Sequence, residues 1–295
     1  MNFGIGEAYS LGCALVWAVA VILYRKSGES LPPFALNLIK NAAVLPLFLL
    51  TIWVVQGWAW PVMPWQHWLL IGISGLLGIA IADTLYFRAL NMIGPARIAA
   101  AQTLYSPFVI LLSLAFLGER LSPGQFGGVA LVLAGILLVS YTRSREQVDP
   151  RRMLIGAAWG VLAVSLMALG VVIAKPMLEQ HNFLWVVTLR IVGGLLGMLA
   201  IAAVRRQFTE LRATYSGVRH WGVIAAAGFT GTYVSMMLWL AGYKYTQASI
   251  AAVLNEFAAV FILLLTVLVL RERVTPRQWL GTLLAVGGVA VVVSA

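Results

Sequence analysis

Residues 117–128 read LGERLSPGQFGG, and residues 270–281 read LRERVTPRQWLG. The shared string E-R-x-x-P-x-Q-x-x-G, beginning at Glu119 and at Glu272, has a local physical meaning. Ser122 or Thr275 is placed to cap a helix, and proline takes the first helical position, where its missing N–H costs nothing. Glutamine three residues after the cap closes a capping box. Each copy therefore starts a helix. Sliding the second half on the first by 153 positions aligns residues 99–135 with 252–288 and gives 12 identities in 37. Apolar drift supplies several of these but not the polar string, so the chain reads as two copies of one unit, 1–145 and 146–295.

The medium follows from composition. Of 295 residues 61% are hydrophobic and 10% charged, with a mean hydropathy of +0.93. A soluble domain carries roughly 25% charged residues, so this chain belongs in a bilayer, where about 20 apolar residues span the hydrocarbon. Apolar runs lie at about 6–24, 34–55, 65–90, 96–117, 124–141, 153–174, 183–204, 221–243, 248–270 and 276–294. The expected fold is an all-α integral membrane protein: ten transmembrane helices as two five-helix repeats around a central cavity. Because five is odd, consecutive copies enter the membrane with opposite orientation. That inverted plan suits a secondary transporter with a site near the midplane, whereas an enzyme has no need of it.

Several function classes are excluded. The longest interruption, 205–219, is too short for a catalytic or nucleotide-binding domain. None of the four lysines follows a glycine, so there is no phosphate-binding loop. One cysteine, Cys13, and three histidines, His67, His181 and His220, leave no disulfide framework or metal cage, and no cofactor is expected. The net charge of +10 would suggest nucleic acid on a soluble chain; here it reads as topological. The connections after helices one, three, five, seven and nine carry 14 basic residues; the other side carries Arg120, Lys175 and Lys244. Charge bias thus places both termini outside the cytoplasm. The start, MNFGIGEAYS, lacks the basic segment of a cleaved signal. Trp58, Trp60, Trp65 and Trp68 crowd one connection, where indoles anchor at the headgroups; ligand stacking is the alternative.

With the two halves, the L-G-E-R-L-S-P stretch with its echo L-R-E-R-V-T-P, and a basic residue in helices two and seven, the chain resembles the EamA-type drug/metabolite transporters over nearly its whole length, and among them the YddG-type amino-acid exporters. The resemblance implies a basket of ten helices, a cavity lined by helices one to four and six to nine, helices five and ten outside, and cytoplasmic termini, against the charge bias. Helices five and ten are nearly featureless, as scaffold helices packing through small residues are. The protein is expected as a monomer, or as a homodimer through Gly124 and Gly128.

Ionisable groups inside spans cost at least ~2.5–3.5 kcal/mol at a helix centre and face a cavity or a partner. Lys40 and Arg190, equivalent under a shift of 150, are candidates to attract a carboxylate; snorkelling to the interface is the alternative. Asp83 is a candidate amine or proton site, with pairing to Lys40 or Arg190 as the bland reading. Gln102 matches Asn255 and Thr103 matches Glu256 under the 153 shift, so two amides are expected on opposite walls of a polar pocket, with helix-to-helix hydrogen bonding as the alternative. Tyr86 on the Asp83 face, Tyr105 on the Gln102 face, Trp239 (matching Tyr86), Trp17 and Trp159 supply rings; core packing is the alternative for any one of them. Arg88, near its helix end, is left out. Together these residues suggest a mixed apolar and polar ligand pocket.

The expected activity is secondary transport of small metabolites by alternating access, with export of amino acids across a bacterial cytoplasmic membrane as the leading reading: a zwitterion needs one cationic and one anionic contact. Proton-coupled efflux of lipophilic cations is the alternative. A membrane enzyme lacks any nucleophile or metal cluster in this sequence, and a passive pore is a third option.

Overall fold

The computed structural model describes residues 4–28, 31–93, 98, 101–140, 149–218, 221–261, 264–265 and 276–295. Its membrane-type helices are α1 (Ile5–Gly28), α2 (Pro33–Gln56), α3 (Trp65–Ile93), α4 (Tyr105–Phe116), α5 (Pro123–Ser140), α6 (Pro150–Gln180), α7 (Phe183–Val204), α8 (Trp221–Tyr245), α9 (Ala248–Phe261) and α10 (Pro276–Ser294). Six of them, α2, α3, α6, α7, α8 and α10, are long and apolar enough to cross a bilayer; the other four carry shorter apolar stretches, Ile5–Ala20, Tyr105–Phe116, Pro123–Leu138 and Ala248–Phe261, at the remaining expected positions. A short helix, Phe208–Ser216, fills the α7–α8 connection.

Local chemistry sets the helix starts. The capping box at α5 is formed: Ser122 N–H donates to Gln125 Oε1 at 2.9 Å, and Gln125 N–H to Ser122 Oγ at 3.1 Å. Its counterpart at Thr275 lies outside the described residues, which resume within α10 at Pro276. Asp149 caps α6 through Arg152 N–H, and Asn182 caps α7 through Trp185 N–H. Gly57 ends α2 with φ +64° and Gly118 follows α4 with φ +66°, a conformation that costs glycine nothing.

α5 and α10 run antiparallel against each other. A Cβ on Gly124 would press on Ala295, on Gly128 on Val292 and Gly288, and on Gly135 on Gly281 and Ala285. Two helices started by the same string thus point in opposite directions, which establishes the inversion. It also corrects one expectation: the small faces of Gly124 and Gly128 are occupied within the chain by α10, so they offer no dimer surface. Gly127, on the other side of α5, meets nothing within 4 Å.

The remaining helices pack mainly across the repeats. α1 lies on α8 and α9, α6 on α3 and α4, α7 on α3, and α2 on α8. The register of this interlocking is read from two glycines. Gly75 of α3 packs so closely on α7 that a Cβ would overlap the carbonyl oxygen of Arg190, while a Cβ on Gly228 of α8 would meet Val44 and, at 3.9 Å, the carbonyl oxygen of Lys40. Gly75 and Gly228 are 153 apart, Lys40 and Arg190 are 150 apart, and residues 35–41 and 185–191 have the same sequence of buried and half-buried positions. The boundary expected near 145 lies outside the described residues.

The backbone departs from regular α-helix in pairs. α3 winds as π-helix over Leu76–Ala82 and α8 over Gly228–Val234. Turns interrupt the chain at 103–104, just before α4, and at 256–257 within α9. π-turns accompany functional sites, and non-helical backbone at membrane depth is tolerated only inside protein or along a cavity.

A side chain wedged into the α5–α10 seam should destabilise the protein by about 1–3 kcal/mol. In detergent, Gly128→Leu is expected to lower the melting temperature clearly, whereas Gly127→Leu, facing open space, leaves it near wild type. Equal effects of the two would contradict the seam.

Candidate functional site

Lys40 and Asp83 form an ion pair between α2 and α3, Nζ to Oδ2 at 2.7 Å, with the ammonium also 5.4 Å from the centre of the Phe87 ring. The neighbouring side chains of α2 explain how the π-segment of α3 is tolerated: Asn37 Nδ2 donates to the Ile79 carbonyl at 2.8 Å and to Thr84 Oγ1 at 3.2 Å. Lys40 is 6% exposed and Arg190 1%, so neither snorkels to the interface.

Arg190 is held differently. Its backbone sits in the Gly75 notch; its Nε donates to Ser74 Oγ at 2.8 Å; its guanidinium lies over the Trp239 ring at 5.4 Å. Nη1 has no hydrogen-bond partner, and no carboxylate lies within ion-pair distance among the described residues. From Trp239 a chain of contacts continues: an edge-on ring contact to Tyr243 at 5.5 Å, then a hydrogen bond between the Tyr243 and Tyr105 hydroxyls, Oη to Oη at 2.7 Å. Glu256 stands beside this pair, accepting from Ser106 Oγ at 3.5 Å. Arg190 and Glu256 both lie within electrostatic range of Tyr105, and Asp83 and Glu256 within range of Tyr86. The cluster is closed to solvent: Tyr105, Tyr243, Arg190 and Glu256 are all buried.

Gln102 and Asn255 end the helical stretches before the two symmetric turns, and Glu256 is the first residue of its turn. Gln102 Oε1 and Asn255 Oδ1 are buried without a partner. Among the described residues five buried side-chain atoms lack one, and three belong to Gln102, Arg190 and Asn255. An unpaired buried polar atom costs about 1–3 kcal/mol, so this concentration on residues expected to meet a ligand calls for a reason.

Trp17 packs with Ala14, Ala20 and Ala227, and Trp159 with Ala89, Ile98 and Ala101, the latter cluster shared with Tyr86. Arg88, left out of the sequence reading, lies 5.1 Å from the centre of the Trp159 ring. Tyr243 and Ser74 were not foreseen, whereas Ser106 shares the helix-four face of Gln102 and Tyr105 by its spacing. Tyr243 stands one turn beyond Trp239 on the same face, a spacing that would have disclosed it; Ser74 carries no sequence signal.

A cleft of about 520 Å³ opens at the end of the bundle that holds the termini, and none of the sequence candidates lines it. Its wall is a polar network. Lys175 Nζ donates to Glu179 Oε1 (2.8 Å) and to the carbonyls of Tyr243 (2.9 Å) and Thr246 (2.8 Å), with Glu119 at 3.9 Å. Glu119 of the repeated string accepts from the backbone N–H groups of Ala248 (2.7 Å) and Ser249 (3.1 Å) and from Ser249 Oγ (2.9 Å). A residue from the α4–α5 connection thus caps α9 of the other repeat. Tyr243 joins the two regions, its carbonyl facing the cleft and its hydroxyl the buried cluster.

Each end is also strapped. At the terminal end Trp185 Nε1 of α7 donates to the Ala59 carbonyl in the α2–α3 connection, at 2.8 Å, and Trp60 stacks on Trp68 and meets Trp185 edge-on. At the opposite end Tyr215 Oη donates to the Ala35 carbonyl of α2 at 2.9 Å; burial pushes that phenol up to about 12, so it keeps its proton. His67 Nδ1 meets His181 Nε2 at 2.6 Å at the terminal end.

An inverted pair of interlocked helical units with broken helices meeting at a buried polar cluster defines a multi-pass membrane protein. The EamA-like transporter family matches residues 4–141 and 154–294, and the chain belongs to that family. It is 24% identical over 277 residues to a transporter of Archaeoglobus fulgidus, covering 92% of each chain. It is 25% identical over 287 residues to the aromatic amino acid exporter YddG of Ancylobacter novellus, covering 94% of this chain and 93% of that one. A solved crystal structure matches with a TM-score of 0.77 at 21% identity, over 97% of this chain and 94% of the other.

Breaking a buried ion pair by removing one partner costs about 3–5 kcal/mol, more than removing both. Asp83→Asn is therefore expected to lower the melting temperature sharply, and Lys40→Met added to it to recover part of the loss. A double variant no more stable than the single one would refute the pairing.

Desolvation, with the neighbouring His67 ring, holds His181 below its ordinary value of 6.5. A group depressed in the folded state stabilises above its unfolded value, and that contribution fades as pH falls. The melting temperature is expected to drop between pH 7 and 5, and to drop less in His181→Gln. Parallel pH profiles would show that the pair does not titrate with folding.

Proposed function

We propose that this protein is a secondary transporter, not an enzyme, that exports amino acids, including aromatic and apolar ones, across a bacterial cytoplasmic membrane by alternating access. The observation that carries the reading is the buried guanidinium of Arg190, with Nη1 unpartnered, beside the ring shelf Trp239–Tyr243–Tyr105. An amino acid supplies the missing carboxylate for Arg190. Its ammonium finds Glu256, which accepts from Ser106 Oγ at 3.5 Å, or the amide oxygens of Gln102 and Asn255. An apolar or aromatic side chain lies against the rings. Lys40 and Asp83, already satisfied by each other, set the position of α2 on α3 and complete the polar lining. The similarity to an aromatic amino acid exporter over nearly the full length points the same way.

Efflux of lipophilic cations fits less well, because a cation entering this cluster meets an arginine with no carboxylate at ion-pair distance among the described residues. Purified protein in liposomes decides between the two. Arg190→Ala and Glu256→Gln are each expected to reduce phenylalanine flux at least about tenfold, the loss of a charged contact worth about 1.5–3 kcal/mol. Unchanged flux in both variants at equal protein content would sink the site. Drug tolerance in cells without amino-acid flux in vesicles would favour cation efflux instead.

A further inference from the structure

The two repeats place their cations alike and neutralise them differently. Lys40 and Arg190 occupy the same position on α2 and α7, fixed by the glycine contacts of Gly228 and Gly75 against their backbones. In the first repeat the facing helix supplies Asp83, 2.7 Å from Lys40, with Phe87 one turn further on the same face. In the second repeat the position 153 residues later is Met236, half-buried against the apolar core. Trp239, one turn beyond Met236, lies over Arg190, so Arg190 rests on the face of α8 that carries both residues. One cation is discharged inside the protein, while the other keeps an unpaired buried nitrogen.

We propose that Met236 is a specificity-determining residue: by standing where the repeat otherwise places a carboxylate, it leaves Arg190 with no carboxylate at ion-pair distance among the described residues, Asp83 of the other repeat acting on it only from further off, and makes an anionic group on the substrate a requirement for transport. This rests on the amino-acid reading of the same site. Selectivity here is a matter of omission, since an internal acid would compete with the substrate's carboxylate at no cost in translational freedom.

The test compares Met236→Asp with the isosteric Met236→Asn, which differ in charge alone. Flux of phenylalanine and of phenethylamine, its decarboxylated analogue, is measured in proteoliposomes, and melting temperature in detergent. M236D is expected to carry phenylalanine at least tenfold more slowly than M236N, with phenethylamine flux equal or higher. M236D should also melt above M236N, and that difference should vanish in an Arg190→Gln background, since only a coupled pair shows non-additivity. Equal phenylalanine flux in M236D and M236N overturns the proposal. So does an M236D, or an M236E made in its place, that fails to fold where the amide folds, because the acid has then found no counter-charge. Wild-type protein that moves no amino acid at all refutes the amino-acid reading instead, and the melting comparison still reports whether position 236 faces an uncompensated Arg190.

Discussion

Everything in this fold answers to one constraint: in hydrocarbon a backbone N–H or carbonyl has no water to turn to and must find its partner in the protein. A chain that wants a polar chamber at membrane depth has to break its helices, and every break creates such unpaired groups. Here the breaks come in symmetric pairs, in α3 and α8 and at the turns before α4 and within α9, and side chains answer them. Asn37 of α2 takes the Ile79 carbonyl of the α3 π-segment, and just before that segment Ser74 donates to the Gly170 carbonyl of unbroken α6 while accepting from Arg190. Both contacts of Ser74 cross from one repeat to the other. The inverted copies are therefore less two domains than two halves of one lattice of satisfied groups.

The architecture was legible in the sequence because its signals are local. A capping string needs only its own residues, and its recurrence at a fixed spacing announced the repeat; hydropathy then supplied the helices. The depth equivalence of Lys40 and Arg190 was legible for the same reason. What could not be read was how each charge is answered, because a partner such as Ser74, 116 residues from Arg190, leaves no trace in the local pattern. Glu119 shows this from the other side. Its string was read correctly as the start of α5, yet its carboxylate caps α9, through a contact between residues 129 apart. The glycines of α5 misled in the same way: Gly124 and Gly128 do form a small-residue face, but the helix that fills it belongs to the same chain.

Among the candidate site residues, the polar ones were more readable than the rings. A buried charge or amide must have a reason, and the structure concentrates unpaired atoms on Gln102, Arg190 and Asn255. Burial alone drives an aromatic ring inward, so Trp17, Trp159 and Trp239 look alike in sequence. The sequence cannot tell which cation a ring will meet: Trp159 lies against Arg88, and Trp239 against Arg190.

The two straps show how one unit serves both faces of a membrane. Ala35 of α2 and Trp185 of α7 stand 150 residues apart, the same offset that relates Lys40 to Arg190. Ala35 offers its carbonyl to Tyr215 at one end of the bundle, while Trp185 offers its indole N–H to Ala59 at the other. Each bond ties a helix that carries a central cation to the connection leaving the equivalent helix of the other repeat. Because donor and acceptor are exchanged between the ends, the two closures are equivalent in place and unlike in chemistry.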